Sequence, residues 1–349
     1  MSELEKNPWV SLVIVCHNDG NWLPRCLESI RAQTIFDRLE IIIADNASSD
    51  GTDQRARNLI AGWPNATFLP TGGDNGFGVA CNRGAQIARG RYLYFLNPDI
   101  WMEADCVAQL YETAERERAA SVGGTVLEYE DDTRQASSAH GFNLFGDGVA
   151  PRGNRAAEPL FVIACFQFIR RDVFQRIGMM DDQFFMYGEE MDLAWRIWIS
   201  GEKLVPALQA KIHHRGAVGV NPTVGTQTVE NRTSVQKRFL ANRNRLLFIA
   251  KNCQHVLLLM LIPCATVVLI EGLLTWIMTR SGSLAKATSL AAIADFWRLR
   301  GHVREQRRRI AAFRRHGDLW MLRFYRLGFG RWEEVRKLIR LGFPKFNRS

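Results

Sequence analysis

Three groups of residues in this 349-residue chain could do chemistry on an anionic, activated substrate. Asn97-Pro98-Asp99 follows the apolar run Arg91-Tyr-Leu-Tyr-Phe-Leu96 with no spacer. A carboxylate at the end of a buried strand is placed to hold Mg²⁺ or Mn²⁺ through oxygen. One carboxylate is a thin ligand set, so phosphate oxygens and a second side chain must complete it. His214 is the candidate and His213 the alternate; a lone histidine also serves packing. Glu189, Glu190 and Asp192 open a helical pattern directly after Tyr187-Gly188. Acids favour a helix amino terminus, but three within four residues exceed that need. One of them is a general-base candidate, with repulsion between neighbours keeping it proton-accepting. The third group is a set of acceptors. Asp45 ends the run Leu39-Glu-Ile-Ile-Ile-Ala44 and can accept from a nucleobase N–H or a ribose. It can equally cap the Ser48, Asp50 and Thr52 turn that follows. Asn18 and Asn46 stand at matching strand ends. The stretch Gly72–Gly78 is glycine-rich but lacks the Lys-Ser/Thr of a P-loop. Asn75, Gly76 and Asn82 read as a loop and helix face lying close to a bound donor, or as a plain turn.

The elements that must position these groups follow from hydrophobic pattern. Val10–Cys16, residues 39–44, Phe68-Leu69 and residues 91–96 are apolar, β-branched or aromatic runs bounded by polar turns, as buried strands are. Helical spacing separates them over 22–33, 52–62 and 78–89. Further strands are expected over Ser121–Leu127, Leu160–Ile169 and 203–215, and a helix over 184–201, closed by Gly201. Strands alternating with helices imply an α/β fold with a mostly parallel central sheet, whose ligands bind beyond the carboxyl ends of the strands. The clusters at 18–19, 45–46 and 97–99 should therefore converge on one crevice. The polar loop 129–158 is an acceptor-facing candidate.

Charge is uneven along the chain. Of the net +9, residues 280–349 carry 18 Lys+Arg against 5 Asp+Glu, a balance of +13, which leaves −4 for the first 279. The tail thus expects an acidic surface as partner. The run Arg304–Arg309 lacks interleaved aromatics and any nucleic-acid-binding motif, so an anionic membrane is favoured over nucleic acid. Residues 256–279 are the most apolar stretch, long enough to span hydrocarbon as helix. Pro263 interrupts it, Glu271 places a charge in it, and basic residues flank both sides. A broken, re-entrant or in-plane helix fits this better than a simple span; a buried helical hairpin is the other reading. Seven scattered cysteines with no CxxC spacing argue against a zinc knuckle or disulfide framework. The polar, acidic start shows no secretory pattern.

Five motifs together carry a resemblance: Val10-Ser-Leu-Val-Ile-Val-Cys-His-Asn18, Ile41-Ile-Ile-Ala-Asp-Asn-Ala-Ser-Ser-Asp-Gly-Thr52, Asn75-Gly-Phe-Gly78 with Asn82-Arg-Gly84, Leu96-Asn-Pro-Asp99, and Phe185-Met-Tyr-Gly-Glu-Glu-Met-Asp-Leu-Ala-Trp-Arg196. In this order and spacing the chain resembles family 2 glycosyltransferases of the GT-A fold, nearest to the bacterial rhamnosyltransferase-like subgroup, over about residues 9–250. The resemblance implies inverting, metal-dependent sugar transfer from a nucleotide sugar, dTDP-rhamnose being one candidate, to a polyprenyl-diphosphate-linked or polysaccharide acceptor. Asp45 would bind the base. Asp99 matches the last position of the Asp-x-Asp metal motif, with Asn97 where the first Asp often stands. Glu189-Glu190 matches the Glu-Asp base motif, with Glu190 as base, and the late histidine matches His214 best.

The expected organisation is a GT-A catalytic domain over 1–250 and a helical, membrane-associating region over 251–349, held at the cytoplasmic face of a bacterial inner membrane. A catalytically silent scaffold for polysaccharide assembly is the alternative that Asn97 and Glu190 keep open.

Overall fold

The computed structural model describes residues 8–133, 138–139, 141–149, 159–162, 166–215, 223–224, 227–228, 232–327 and 332–346. The chain divides into two compact units. The first comprises Met1–Ser138, Ala156–Ile197 and Glu202–Gly216; the second comprises Ala139–Arg155, Trp198–Gly201 and Ala217–Ser349.

An eight-stranded sheet forms the first unit. Its strands are β1 (Val10–Cys16), β2 (Leu39–Asp45), β3 (Ala66–Pro70), β4 (Tyr92–Leu96), β5 (Ile100–Met102), β6 (Ser121–Glu128), β7 (Gln167–Arg170) and β8 (Leu204–His214). The spatial order is β3-β2-β1-β4-β7-β6-β8-β5. β1, β2, β3 and β4 run parallel, as do β6 and β8. β7 is antiparallel to β4 and β6, and β5 is antiparallel to β8. The fold is thus α/β with a mostly parallel sheet, as the alternation of elements predicts.

Every residue of β1 and β2 is buried, because the sheet is covered on both faces. Leu12 and Ile14 share a core with Leu23, Leu27 and Ile30 of helix α1 (Leu23–Arg31). Each such side chain taken from water contributes about 1.5–3 kcal/mol. Val13 points the other way, at helix α3 (Phe77–Ile87), which follows α2 (Thr52–Leu59). A Cβ on Gly84 of α3 would sit 2.3 Å from Val13 Cγ1, so only glycine lets this helix approach the sheet. Helices α4 (Cys106–Glu117), α5 (Arg171–Arg176) and α6 (Glu189–Ile199) complete the set used below.

Two expectations are corrected here. The helix expected from 184 begins at Glu189, because Phe185 and Tyr187 hold positive φ angles of 61° and 71° that a helix cannot contain. The expected strand 160–169 is described as two pieces, Phe161–Val162 and Gln167–Arg170; residues 163–165 lie outside the described residues. Much of the loop 129–158 also lies outside them.

The second unit is helical: α7 (Val235–Asn252), α8 (Leu261–Thr279), α9 (Gly282–Ala285), α10 (Ala291–Arg298) and α11 (Arg300–Phe313). A 3-10 turn over Leu257–Met260 leads into α8, and Leu257–Thr279 is long and apolar enough to cross a membrane. Pro263 does not break it. It falls in the first turn of α8, where a proline's missing N–H costs nothing. Arg280 ends the helix in a left-handed conformation at φ 54°. Two arginines of the basic run have an internal task. Arg307 Nη1 donates to the carbonyls of Ala250 and Cys253, at 2.6 and 2.5 Å, and Arg314 Nη2 to that of Asn252 at 2.6 Å. They close the carboxyl end of α7, where the exposed carbonyls attract cations. Arg309 is exposed and pairs with Glu305 one turn earlier.

Candidate active site

The carboxyl ends of the parallel strands assemble the acceptor group. Asp45 is the last residue of β2. Its Oδ2 accepts from Ser48 N at 3.2 Å, while its buried Oδ1 has no hydrogen-bond partner. A buried, unmatched carboxylate oxygen costs stability unless a ligand donor reaches it. Asn18, at φ 60°, accepts from Ser49 N at 2.8 Å and so ties the loop after β1 to the loop after β2. Asn46 carries the connection further. Its Nδ2 donates to Asp74 Oδ1 at 2.9 Å and its Oδ1 accepts from Asn75 N at 3.3 Å. These amides hold the glycine-rich loop beside Asp45.

That loop in turn supports the acidic helix start. Gly76 has φ 82°, and a Cβ there would lie 2.2 Å from the Phe185 carbonyl oxygen. Phe77 N donates to the same oxygen at 2.8 Å. Asn82 spends both ends of its amide on Met180, accepting from its N at 3.0 Å and donating to its O at 2.8 Å. The backbone leading into Phe185–Glu190 is therefore clamped to α3 at two places.

Glu189 and Glu190 follow on α6. Burial pushes both carboxyls above the ordinary range, and the charge of Glu190 pushes Glu189 further. Glu190 accepts from Gly188 N at 3.1 Å, whereas Glu189 Oε2 is buried with no partner. Asp192, the third acid, is bound to Arg196 at 3.0 and 2.7 Å, and Arg196 also donates to Ile177 O at 2.7 Å. Both side chains of this ion pair are buried. Asp192 orders α6, which separates it from the other two acids.

Asp99 and His214 are brought together by strand pairing. β5 starts at the carboxyl edge of the sheet and pairs with the end of β8, His214 opposite Ile100 and beside Glu128 of β6. Arg215 N donates to Asp99 O at 3.0 Å. The result is 3.6 Å between Asp99 Oδ1 and His214 Nε2. Two ligands of one octahedral cation with bonds of 2.0–2.1 Å stand about 3 Å apart. The pair is spaced so that a divalent cation would fit between them with little adjustment. His213, next along the strand, points away. It is buried, stacks on Trp101 with centroids 3.6 Å apart, and places Nδ1 2.9 Å from the Glu128 carbonyl. Of the two histidines only His214 faces Asp99. Asn97, partly buried, precedes Pro98 at the same edge.

One further acid at this edge, Asp19, is given no role by the sequence pattern. Asp19 is pushed up chiefly by burial and also by the negative charge of Asp99. Its place directly after β1 is the signal that marks it. A cavity of about 710 Å³ lies elsewhere, at the opposite edge, lined by Arg89, Arg91, Arg170 and Arg171. Glu40, Glu115 and Asp172 already pair three of these arginines at 2.7 Å each.

With this geometry in place, residues 11–178 match the model of the family described as Glycosyl transferase family 2. Residues 11–178, just under half of the chain, thus carry the pattern of glycosyl transferase family 2. The matched glycosyltransferase segment contains Asn18, Asp45, Gly76 and Asp99 and stops before Glu189 and His214. The chain is similar to the N-acetylglucosaminyl-diphospho-decaprenol L-rhamnosyltransferase of Mycobacterium tuberculosis (strain ATCC 25618 / H37Rv), at 26% identity over 267 residues, 67% of this chain and 84% of that one. It is 32% identical to EpsH of Bacillus subtilis (strain 168) over 133 residues, 38% of each chain. Its fold resembles the crystal structure of S. aureus TarS, with TM-score 0.55 at 11% identity, covering 87% of this chain and 53% of that one. The chain thus aligns with well under two thirds of EpsH and of TarS.

Proposed function

We propose that this glycosyltransferase moves a sugar, with inversion, from a nucleotide sugar to a lipid-linked or polysaccharide acceptor in cell-surface glycan assembly. The observation that carries the reading is the pairing of Asp99 with His214 at the carboxyl edge, next to the strand ends that carry Asp45 and Asp19. Asp45 Oδ1 receives a donor N–H or O–H of the nucleoside, which supplies its missing partner. Asp99 and His214 hold Mg²⁺ or Mn²⁺, whose charge stabilises the departing diphosphate when bound. Asn75, Gly76, Asn82 and Asn97 shape the donor side, mostly by holding backbone rather than by direct contact.

Glu190 acts as general base. It takes the proton of the acceptor hydroxyl as that oxygen bonds to the anomeric carbon and the bond to the diphosphate oxygen breaks. A carboxyl raised by burial is a stronger base than an exposed one, which suits this task at neutral pH. The charge of Glu190 raises Glu189 further, and Asp192 fixes the helix that bears both. Rhamnose is the proposed sugar, supported by the mycobacterial rhamnosyltransferase relative. A polyprenyl-diphosphate-linked acceptor would place the enzyme at the cytoplasmic face of the inner membrane.

The test is nucleotide release from a panel of nucleotide sugars, dTDP-rhamnose included, with a polyprenyl-diphosphate sugar acceptor. Proton NMR of the product reads the anomeric configuration. Inverted product from one donor is expected. Retained configuration overturns the single-displacement reading, and no turnover with any donor favours the scaffold instead.

A further inference from the structure

The second unit is built with its polarity reversed. The buried face of α8 is made of Cys264, Val268, Gly272 and Thr275, all small or medium side chains. Its neighbours inside the unit include polar ones. Thr288 and Ser289 are buried in a wide π turn over Lys286–Leu290, and Asn242 of α7 donates to Thr288 O at 3.0 Å. A Cβ on Gly272 would lie 2.2 Å from Ser289 Oγ, so the two helical segments meet almost backbone to backbone. Asn244 and Asn252 of α7 are buried as well. The outward face carries the large apolar groups: Ile262, Leu269, Leu273, Trp276, Ile277 and Met278 are between 45% and 68% exposed. Small and polar residues between helices with large apolar residues outside is the packing used where hydrocarbon is the solvent. Water would favour the reverse.

The same unit limits how deep α8 can go. α9 and the π turn pack back along α8, bringing Lys286 with them, while α10 packs on α7, where Asp295 pairs with Arg243. Arg280, Gly282, Ser283 and Lys286 are exposed at the turn between the helices. A transbilayer α8 would drag this polar, charged turn through hydrocarbon. Arg298, Arg300, Arg304 and Arg308 of the same unit are also exposed, and exposed cations complement anionic lipid headgroups.

We propose that α8 is a monotopic membrane-binding helix, lying in one leaflet of an anionic bilayer with its outward face in the acyl region and both ends at the surface. This inference rests on the second unit alone and does not draw on the catalytic reading. The full chain is tested by flotation with vesicles of phosphatidylcholine with 30% phosphatidylglycerol, against pure phosphatidylcholine. Co-flotation with the anionic vesicles is expected, at least 10-fold weaker on neutral ones. The combined variant Leu269→Gln, Leu273→Gln, Ile277→Gln should lose at least 10-fold in partition with unchanged circular dichroism. Gly282→Cys, where an added side chain meets nothing within 4 Å, reports depth. A membrane-impermeant maleimide added outside should label it on vesicle-bound protein at a rate within two-fold of that in free protein. No flotation overturns the proposal, and so does equal binding to neutral vesicles. Protection of Gly282→Cys shows a span instead. Conversion of a wild-type dimer to monomer by the triple variant, without vesicle binding, shows that the face joins two copies of the chain.

Discussion

Asp99 Oδ1 and His214 Nε2 stand 3.6 Å apart although 115 positions separate them in sequence. The short strand β5, antiparallel at the sheet's edge, makes this possible. It turns back immediately after Asp99 and pairs with the end of β8, so the residue before one strand meets the last residue of the other.

Asp45→Ala should weaken binding of the free nucleotide while leaving the fold in place. The unmatched Oδ1 is the atom that a ligand would satisfy, and hydrogen bonds to charged groups are worth about 1.5–3 kcal/mol. A 10-fold or greater rise in Kd by calorimetry is expected for the nucleotide of the preferred donor. An unchanged Kd would leave Asp45 as a turn residue only.

Gly76→Ala should damage activity more than stability. The substitution meets Phe185 backbone and also strains a φ of 82°. Strain of this kind costs about 1–3 kcal/mol, visible as a lower urea midpoint. Because the displaced Phe185 leads into Glu190, turnover should fall at least 10-fold in protein that is still folded. Wild-type activity would show that the loop does not position the acids.

Asp192→Ala should be a folding defect. It leaves Arg196 as a buried charge with one partner fewer, and breaking a buried pair costs about 3–5 kcal/mol. Thermal melts and soluble yield should drop, and the residual folded fraction should keep its affinity for nucleotide. An unaltered melting temperature with lost turnover would give Asp192 a direct chemical part.

Glu189→Gln and Glu190→Gln should separate by pH profile. Both carboxyls are raised by burial, so each holds its proton more tightly folded than unfolded. Folding stability is therefore greatest below the unfolded value of about 4.3 and declines as pH rises toward the raised folded values. Glu189→Gln removes the carboxyl that burial and the charge of Glu190 both raise. It should flatten that decline in melts from pH 4 to 9 and leave the acid limb of the rate profile in place, with turnover retained. Glu190→Gln should abolish transfer at all pH values. Full activity of Glu190→Gln would remove it from the chemistry.

Most of the first unit is legible in the chain itself. The apolar runs at 10–16, 39–44 and 91–96 are short, β-branched or aromatic and bounded by Asn, Asp and Gly, so period and punctuation agree. The edge that gathers Asn18, Asp45 and Asp99 follows from the parallel order alone. Pairings of distant segments are less visible. β5 is three residues long and carries no period of its own, and its partner lies 110 residues away. Local pattern also hides what a side chain is spent on. Asp192 looks like a third acid of the site until Arg196, one turn later and buried, claims it. Arg307 and Arg314 look like members of a surface cluster until the carbonyls at the end of α7 are seen to take them. Pro263 reads as a break because its distance from the helix start cannot be judged without the preceding 3-10 turn.

The central claim is that Asp99 and His214 together hold the cation on which sugar transfer depends. The direct measurement is the initial rate of nucleotide release from the preferred nucleotide sugar with Mn²⁺, with Mg²⁺ and with excess EDTA, for wild type, Asp99→Asn and His214→Ala. Loss of several kcal/mol of charge stabilisation corresponds to about 10²–10³-fold in rate. The account predicts such a loss for wild type in EDTA and for Asp99→Asn with metal, and a smaller loss for His214→Ala that is partly recovered at higher Mn²⁺. Equal rates with and without EDTA, or an Asp99→Asn enzyme as fast as wild type, would contradict it.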